Sequence, residues 1–166
     1  MPAAVVLFAK APRPGRVKTR LTPPLTAAQA AEFHRACVHD TWRKIESLAT
    51  ASHYLYSDTA WDDYEGLARP EQRGTQKGEH LGARMFNCFR DLHDLGHDRV
   101  LILGSDSPTL PVEYIEQGLR TLEEVDAVLG LCEDGGYYAI GCREAHPGMF
   151  TDVTWSSPET RRQTES

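Results

Sequence analysis

Short apolar runs alternate along the chain with longer stretches of helical period. Ala4-Val5-Val6-Leu7-Phe8 is a continuous apolar run with β-branched residues, the pattern of a strand buried on both faces. Thr26-Ala27-Ala28-Gln29 has the form of a capping box that opens a helix. The spacing predicts this helix to run to about Ala49, with Phe33, Cys37, Thr41, Ile45 and Leu48 on one stripe. His53 to Ser57 reads as a second strand, ending at Asp58, and the polar stretch from Thr59 to Gly78 reads mostly as loop. Leu81, Met85, Phe89 and Leu92 mark a helix that stops near Gly96. Val100-Leu101-Ile102-Leu103 is another buried strand, running into Gly104-Ser105-Asp106. Pro111 suits the first turn of a helix whose inner stripe is Ile115, Leu119 and Leu122. Ala127–Leu131 and Tyr137–Gly141 are further strands, separated by the turn Glu133-Asp134-Gly135-Gly136.

Strands alternating with helices imply an α/β domain, Rossmann-like, with a mainly parallel sheet and helices on both faces. No internal repeat or low-complexity linker interrupts the pattern, so residues 1–166 read as one domain. Apolar residues make up 40% and charged residues 25%, which argues against disorder. The longest apolar run, Ala3 to Ala9, is far short of the roughly 20 residues that span a bilayer. No charged segment precedes it and no small-residue cleavage pattern follows, so a signal peptide is not expected. Cys37, Cys88, Cys132 and Cys142 form no CxxC and read as buried reduced thiols, which suits the cytoplasm.

The net charge of −6 gives no reason to expect nucleic-acid binding, but its distribution is uneven. No acid occurs before Glu32, while Lys10, Arg13, Arg16, Lys18 and Arg20 fall within eleven positions. The first 31 residues therefore carry +5 and the remainder −11. Pro12, Pro14 and Gly15 between the cations exclude a helix face and make this a loop. It is either a solvated arm or an anion cradle, with arginine forks and lysine point charges placed for phosphate oxygens.

In parallel sheets ligands gather beyond the carboxyl ends of the strands. The basic loop leaves the first strand, Asp58 the second, Ser105 and Asp106 the strand at Val100–Leu103, and Glu133 and Asp134 the strand at Ala127–Leu131. One edge thus receives cations for phosphate oxygens and hard carboxylates for Mg²⁺. Asp106 directly follows a buried strand, which suits a metal ligand and equally a turn cap. An aspartyl-phosphate phosphatase is set aside because Pro108 stands where that motif wants a second acid. The paired glycines at Gly135 and Gly136 fit close approach to a ligand and also a tight hairpin turn. His93 and His97 are spaced i, i+4 across a helix end and are not expected to make a zinc site. GxSxG, GxxxxGK[ST] and GxGxxG are all missing, which lowers the odds of an NAD enzyme or a P-loop NTPase.

The stretch from Phe8 to Leu21, FAKAPRPGRVKTRL, resembles the opening motif of the CofC-like glycosyltransferase family. Leu81-Gly82-Ala83-Arg84-Met85, Gly104-Ser105-Asp106-Ser107-Pro108 and the stretch from Glu133 to Gly141 are similar to later motifs of that family in order and spacing, and Phe150 and Trp155-Ser156-Ser157 to the segment that follows. The resemblance implies a nucleotide-diphospho-sugar transferase (GT-A type) fold. Relatives include guanylyltransferases acting on phospholactate or phosphoenolpyruvate.

It also implies roles. Lys10, Arg13, Arg16, Lys18 and Arg20 would bind the nucleotide's phosphates, with Arg84 on the base or phosphate side. Asp106 would hold Mg²⁺ or Mn²⁺. Asp134 would be the candidate base, with Gly135, Gly136 and Ser105 facing the acceptor or sugar. The expected substrates are a nucleoside-diphosphate sugar or NTP and a small-molecule acceptor. Glycosyl transfer is favoured. Nucleotidyl transfer of the guanylyltransferase type and a catalytically inert nucleotide-binding module are the alternatives. The family usually continues past the tryptophan segment into a further helix, strand and acidic stretch, so the domain reads as C-terminally shortened. Leu131-Cys132 replaces a proline common before the acidic pair.

Overall fold

A computed structural model describes residues 3–17, 21–59, 66–105, 110–131 and 137–144. Among these, six strands form one sheet: β1 (Ala3–Ala9), β2 (Ala51–Ser57), β3 (Arg73–Thr75), β4 (Val100–Gly104), β5 (Ala127–Leu131) and β6 (Tyr137–Cys142). Three helices, α1 (Ala27–Glu46), α2 (Leu81–Asp94) and α3 (Val112–Thr121), connect them. The spatial order is β3-β2-β1-β4-β6-β5. β1 pairs in parallel with β2 and β4, and β2 with β3, while β6 runs antiparallel to both β4 and β5. β5 therefore points with the parallel set, and the sheet is mainly parallel, as the alternation of patterns implies.

All seven residues of β1 are buried because both of its faces are covered. Val5 and Leu7 pack on one face with Trp42 and Ile45 of α1 and Ile115 of α3. Val6 and Phe8 pack on the other with Met85 and Phe89 of α2. The period of two along the strand thus divides its side chains between two cores, in a three-layer α/β/α arrangement.

α1 opens on the expected capping box: the Gln29 amide donates to Thr26 Oγ1 (3.1 Å), and the Thr26 amide donates to Gln29 Oε1 (2.9 Å). The helix ends at Glu46, short of Ala49, with Ser47 as its C-cap. Its buried face is Ala30, His34, Cys37, Val38, Thr41, Trp42 and Ile45. Phe33, expected on that stripe, is 51% exposed. One residue turns a helix by about 100°, so the stripe centred on His34, Val38 and Ile45 leaves Phe33 outside.

Among the described residues the stretch from Thr59 to Gly78 is mostly loop, as expected, but it includes a 3₁₀ turn, Pro70–Gln72, and the edge strand β3. Three residues reading Arg-Gly-Thr carry no apolar alternation that would signal a strand. Gly74 sits against the Tyr56 ring on β2, and a Cβ there would stand 2.4 Å from Tyr56 Cε1. Any larger residue at this position would have to displace that ring.

Cys37, Cys88 and Cys142 are buried and form no disulfide, as expected; Cys132 lies outside the described residues. Burial pushes the Cys142 thiol up from 9.0 to about 12 and the Cys88 thiol well above 9.0. The Tyr56 hydroxyl is raised by the same cause. The folded chain then holds protons that the unfolded chain releases, so stability is intact below pH 9 and falls as pH climbs towards about 12. The urea midpoint is expected to drop through this window and Cys142→Ala to flatten the drop. A midpoint indifferent to pH there contradicts the burial.

Candidate functional site

The strand order reverses between β1 and β4: β2 and β3 lie to one side of β1, and β4 begins the other. In open α/β sheets the crevice at that reversal, outside the carboxyl ends, is where ligands bind. Register decides what reaches it. Ala9 stands opposite Ser57, and Phe8 opposite Gly104, so Lys10, Asp58 and Ser105 leave the sheet side by side. β5 ends at Leu131, opposite the start of β6 at Tyr137, on the same edge. The N-termini of the helices that follow β1, β3 and β4 face this edge too, and their partial positive charge favours anions. The first turns of α1 and α2 carry no acid to offset it.

The cationic loop is a shaped turn. Ala11 and Val17 are each 3% exposed and anchor it inward, which leaves Lys10, Arg13 and Arg16 exposed. The Arg16 amide donates to the Arg13 carbonyl at 3.0 Å, closing a turn with Pro14 second and Gly15 third. Gly15 has φ +80°, the value a type II turn demands at that position and a costly one for other residues. Arg13 and Arg16 therefore stand at the two ends of one turn. No side chain among the described residues engages Lys10 or Arg16, so both charges remain available. Lys18 and Arg20 lie outside the described residues.

Side chains from distant elements hold the start of this loop. His34 Nε2 donates to the Lys10 carbonyl at 2.7 Å. Asp58 Oδ1 accepts from the Ala11 amide at 2.8 Å and from the Thr59 amide at 2.9 Å. Asp58 thus belongs to the edge, as expected, but that oxygen is committed to backbone amides. His34 was not singled out by sequence reasoning, although a polar residue on the buried stripe of α1 is a usable signal.

A second loop, from Gln76 to His80, reaches the same edge and is strapped to α2. Gln76 Nε2 donates to the Tyr56 carbonyl (3.0 Å), Asn87 Nδ2 to the Lys77 carbonyl (2.8 Å) and Arg84 Nε to the Gly78 carbonyl (3.1 Å). His80 caps α2, its Nδ1 accepting from the Ala83 amide at 3.1 Å. Arg84 therefore spends Nε on this loop, and no hydrogen bond among the described residues engages its two Nη atoms.

Ser105 is 6% exposed at the end of β4. Asp106, Asp134, Gly135 and Gly136 lie outside the described residues. Among the described residues no three His, Cys, Asp or Glu side chains gather to hold an ion. His93 and His97 make no metal pair: His93 Nδ1 donates to the His97 carbonyl (2.8 Å), and His97 Nε2 bonds the Tyr54 hydroxyl (2.7 Å). No helix among the described residues is long and apolar enough to cross a membrane.

A cavity of about 430 Å³ lies at the opposite, amino edge, lined by Ala3, Leu48, Arg99, Glu116 and Arg120 among others. Its Arg99 already pairs with Glu123 and the Leu119 carbonyl. It lies away from the strand ends where the exposed cations collect, so the candidate site is the carboxyl edge.

This sheet, with its reversal between β1 and β4 and its antiparallel β6, defines the nucleotide-diphospho-sugar transferase type of α/β fold. The chain belongs to the family described as "Uncharacterized protein conserved in bacteria (DUF2064)", whose profile matches residues 41–157. It is similar to a protein of Desulfovibrio desulfuricans G20, provisionally identified as a nucleotide-diphospho-sugar transferase. The two share 31% identity with a TM-score of 0.89, over 98% of this chain and 73% of that one. CMP:2-keto-3-deoxy-manno-octonic acid synthetase, in complex with CTP, matches with a TM-score of 0.53 at 12% identity, over 99% of this chain and 83% of that one. The corresponding figures for 4-diphosphocytidyl-2C-methyl-D-erythritol synthase are 0.53, 10%, 99% and 86%. At such identities the likeness to the two synthetic enzymes is one of fold alone. No protein of curated function matches the chain.

Proposed function

We propose that this protein is a metal-dependent transferase that takes a nucleoside-diphosphate sugar as donor and passes the sugar to a small acceptor. One observation carries the reading: an exposed cationic turn is fixed at the carboxyl end of β1, where the strand order reverses. The chain's likeness to the Desulfovibrio protein provisionally identified as a nucleotide-diphospho-sugar transferase supports it.

Lys10, Arg13 and Arg16, continued by Lys18 and Arg20, take the donor's phosphate oxygens, and Arg84 flanks the base or phosphate side. Asp106, attached to Ser105 at the end of β4, would hold Mg²⁺ or Mn²⁺, which would supply neutralising charge to the diphosphate. Asp134, with Gly135, Gly136 and Ser105, serves the acceptor and sugar side. In glycosyl transfer the bond between the sugar's anomeric carbon and the diphosphate oxygen breaks, and that oxygen leaves with the electron pair. The acceptor oxygen bonds the same carbon, and its proton passes to Asp134. The cationic turn stabilises charge as it grows on the leaving diphosphate, and positioning supplies the rest.

In the second reading, nucleotidyl transfer of the CofC-like guanylyltransferase type, the acceptor attacks the α-phosphate of an NTP and pyrophosphate leaves. Its support is the fold shared with the CTP-bound synthetase and the diphosphocytidyl synthase named above. Incubation with nucleoside-diphosphate sugars and, separately, with NTPs distinguishes them. Release of nucleoside diphosphate is expected, release of pyrophosphate selects the second reading, and consumption of neither donor across an acceptor panel rejects both.

A further inference from the structure

The Lys10 carbonyl and the Ala11 amide are the two poles of one peptide group. His34, from α1, donates to its oxygen at 2.7 Å; Asp58, from the end of β2, accepts from its N–H at 2.8 Å. These partners lie 24 and 47 positions along the chain from the residues they hold. We propose that His34 and Asp58 are positioning residues that clamp the Lys10–Ala11 peptide plane and so aim the cationic turn at the donor's diphosphate. The functional half of this inference rests on the donor reading above; the clamp itself does not.

A peptide group is planar, so pinning both poles stops it rotating between its flanking dihedrals. The clamped plane is the first one beyond β1, and its orientation sets the direction in which Lys10, Arg13 and Arg16 leave the sheet. His34 is 4% exposed, so its side chain works inside the protein rather than on a ligand. Asp58 is an acid beside a turn meant for phosphate, where a free carboxylate would repel the ligand. Its Oδ1 accepts from two backbone amides, Ala11 and Thr59, so the fold uses it as a hydrogen-bond acceptor. An uncharged acceptor of the same shape should therefore serve.

Amide hydrogen exchange at Ala11, Arg13 and Arg16 reads the clamp without any ligand. In Asp58→Ala and in His34→Ala it is expected to rise about tenfold or more at these amides. Asp58→Asn and His34→Gln, which keep an acceptor and a donor, should restore slow exchange. The double alanine variant should be little worse than the worse single, because both release the same peptide. With a donor, the alanine variants should raise KM by about tenfold while kcat changes far less. Unchanged exchange in both single alanine variants overturns the clamp. So does an Asp58→Asn variant as impaired as Asp58→Ala, which would assign the role to charge. If Asp58→Ala does not fold, His34→Ala and the two conservative variants decide the same question. Wild-type protein that turns over no donor, with the exchange pattern intact, overturns the donor reading and upholds the clamp.

Discussion

Replacing both Lys10 and Arg16 by glutamate is expected to abolish binding of the proposed donor and to leave the fold standing. Both side chains are exposed and engage no side chain among the described residues, so their loss removes no packing. Surface substitutions of this kind change stability by about 0.5 kcal/mol or less. A charge-assisted hydrogen bond to phosphate is worth about 1.5–3 kcal/mol, so losing two weakens binding by about a hundredfold or more. The new carboxylates add repulsion. Titration calorimetry with a nucleoside diphosphate should show no measurable heat, with the melting temperature within a few degrees of the parent. Raised salt should weaken the parent's affinity in the same direction, because exposed charges are screened. Parent-like affinity in the double variant removes the cationic turn from the site.

Phe89→Ala should be among the substitutions most damaging to stability. The ring is 0% exposed and packs with Met85, Cys88, Leu92, Val100 and Ile102 under the sheet face that α2 covers. Truncating a buried Phe costs about 3–5 kcal/mol, lost transfer energy and cavity together. Against a usual stability of about 5–15 kcal/mol this removes a large share of the whole. A urea titration should show the midpoint fall accordingly, and melting should come at least about 6 °C lower. Donor binding should weaken with it, since α2 carries Arg84 and Asn87, which strap the loop from Gln76 to His80. Phe33→Ala, on an exposed ring, is the control and should change stability little. Equal losses in the two variants contradict the assignment of the core.

These contrasts show which parts of the fold are local. The run from Ala4 to Phe8, the capping box at Thr26 and the stripe of Met85, Phe89 and Leu92 declare themselves because period and chemistry are written in neighbouring residues. β3 does not, since Arg73-Gly74-Thr75 is set by pairing with β2 and by the Tyr56 ring that needs Gly74 beneath it. Phe33 misleads because four-residue spacing to Cys37 suits two adjacent stripes of a long helix, and only the packing of α1 on β1 chooses between them. At the site, Lys10, Arg13 and Arg16 are legible as a cationic loop, and Pro14-Gly15 as its turn. What holds them is not: the partners of the Lys10–Ala11 peptide come from α1 and from the end of β2, and tertiary folding alone brings them together. Asp58 illustrates the difference, its presence at the edge being readable from strand alternation and its work as an acceptor only from coordinates.

The most direct test of the donor site is an amide NMR titration of the whole chain with a nucleoside diphosphate and Mg²⁺. Saturable shifts are expected at residues 10–17, 76–84 and 104–105, at the carboxyl edge where the strand order reverses. Shifts confined to residues 47–50, 99 and 116–123 around the amino-edge cavity, or no shifts at all, contradict it.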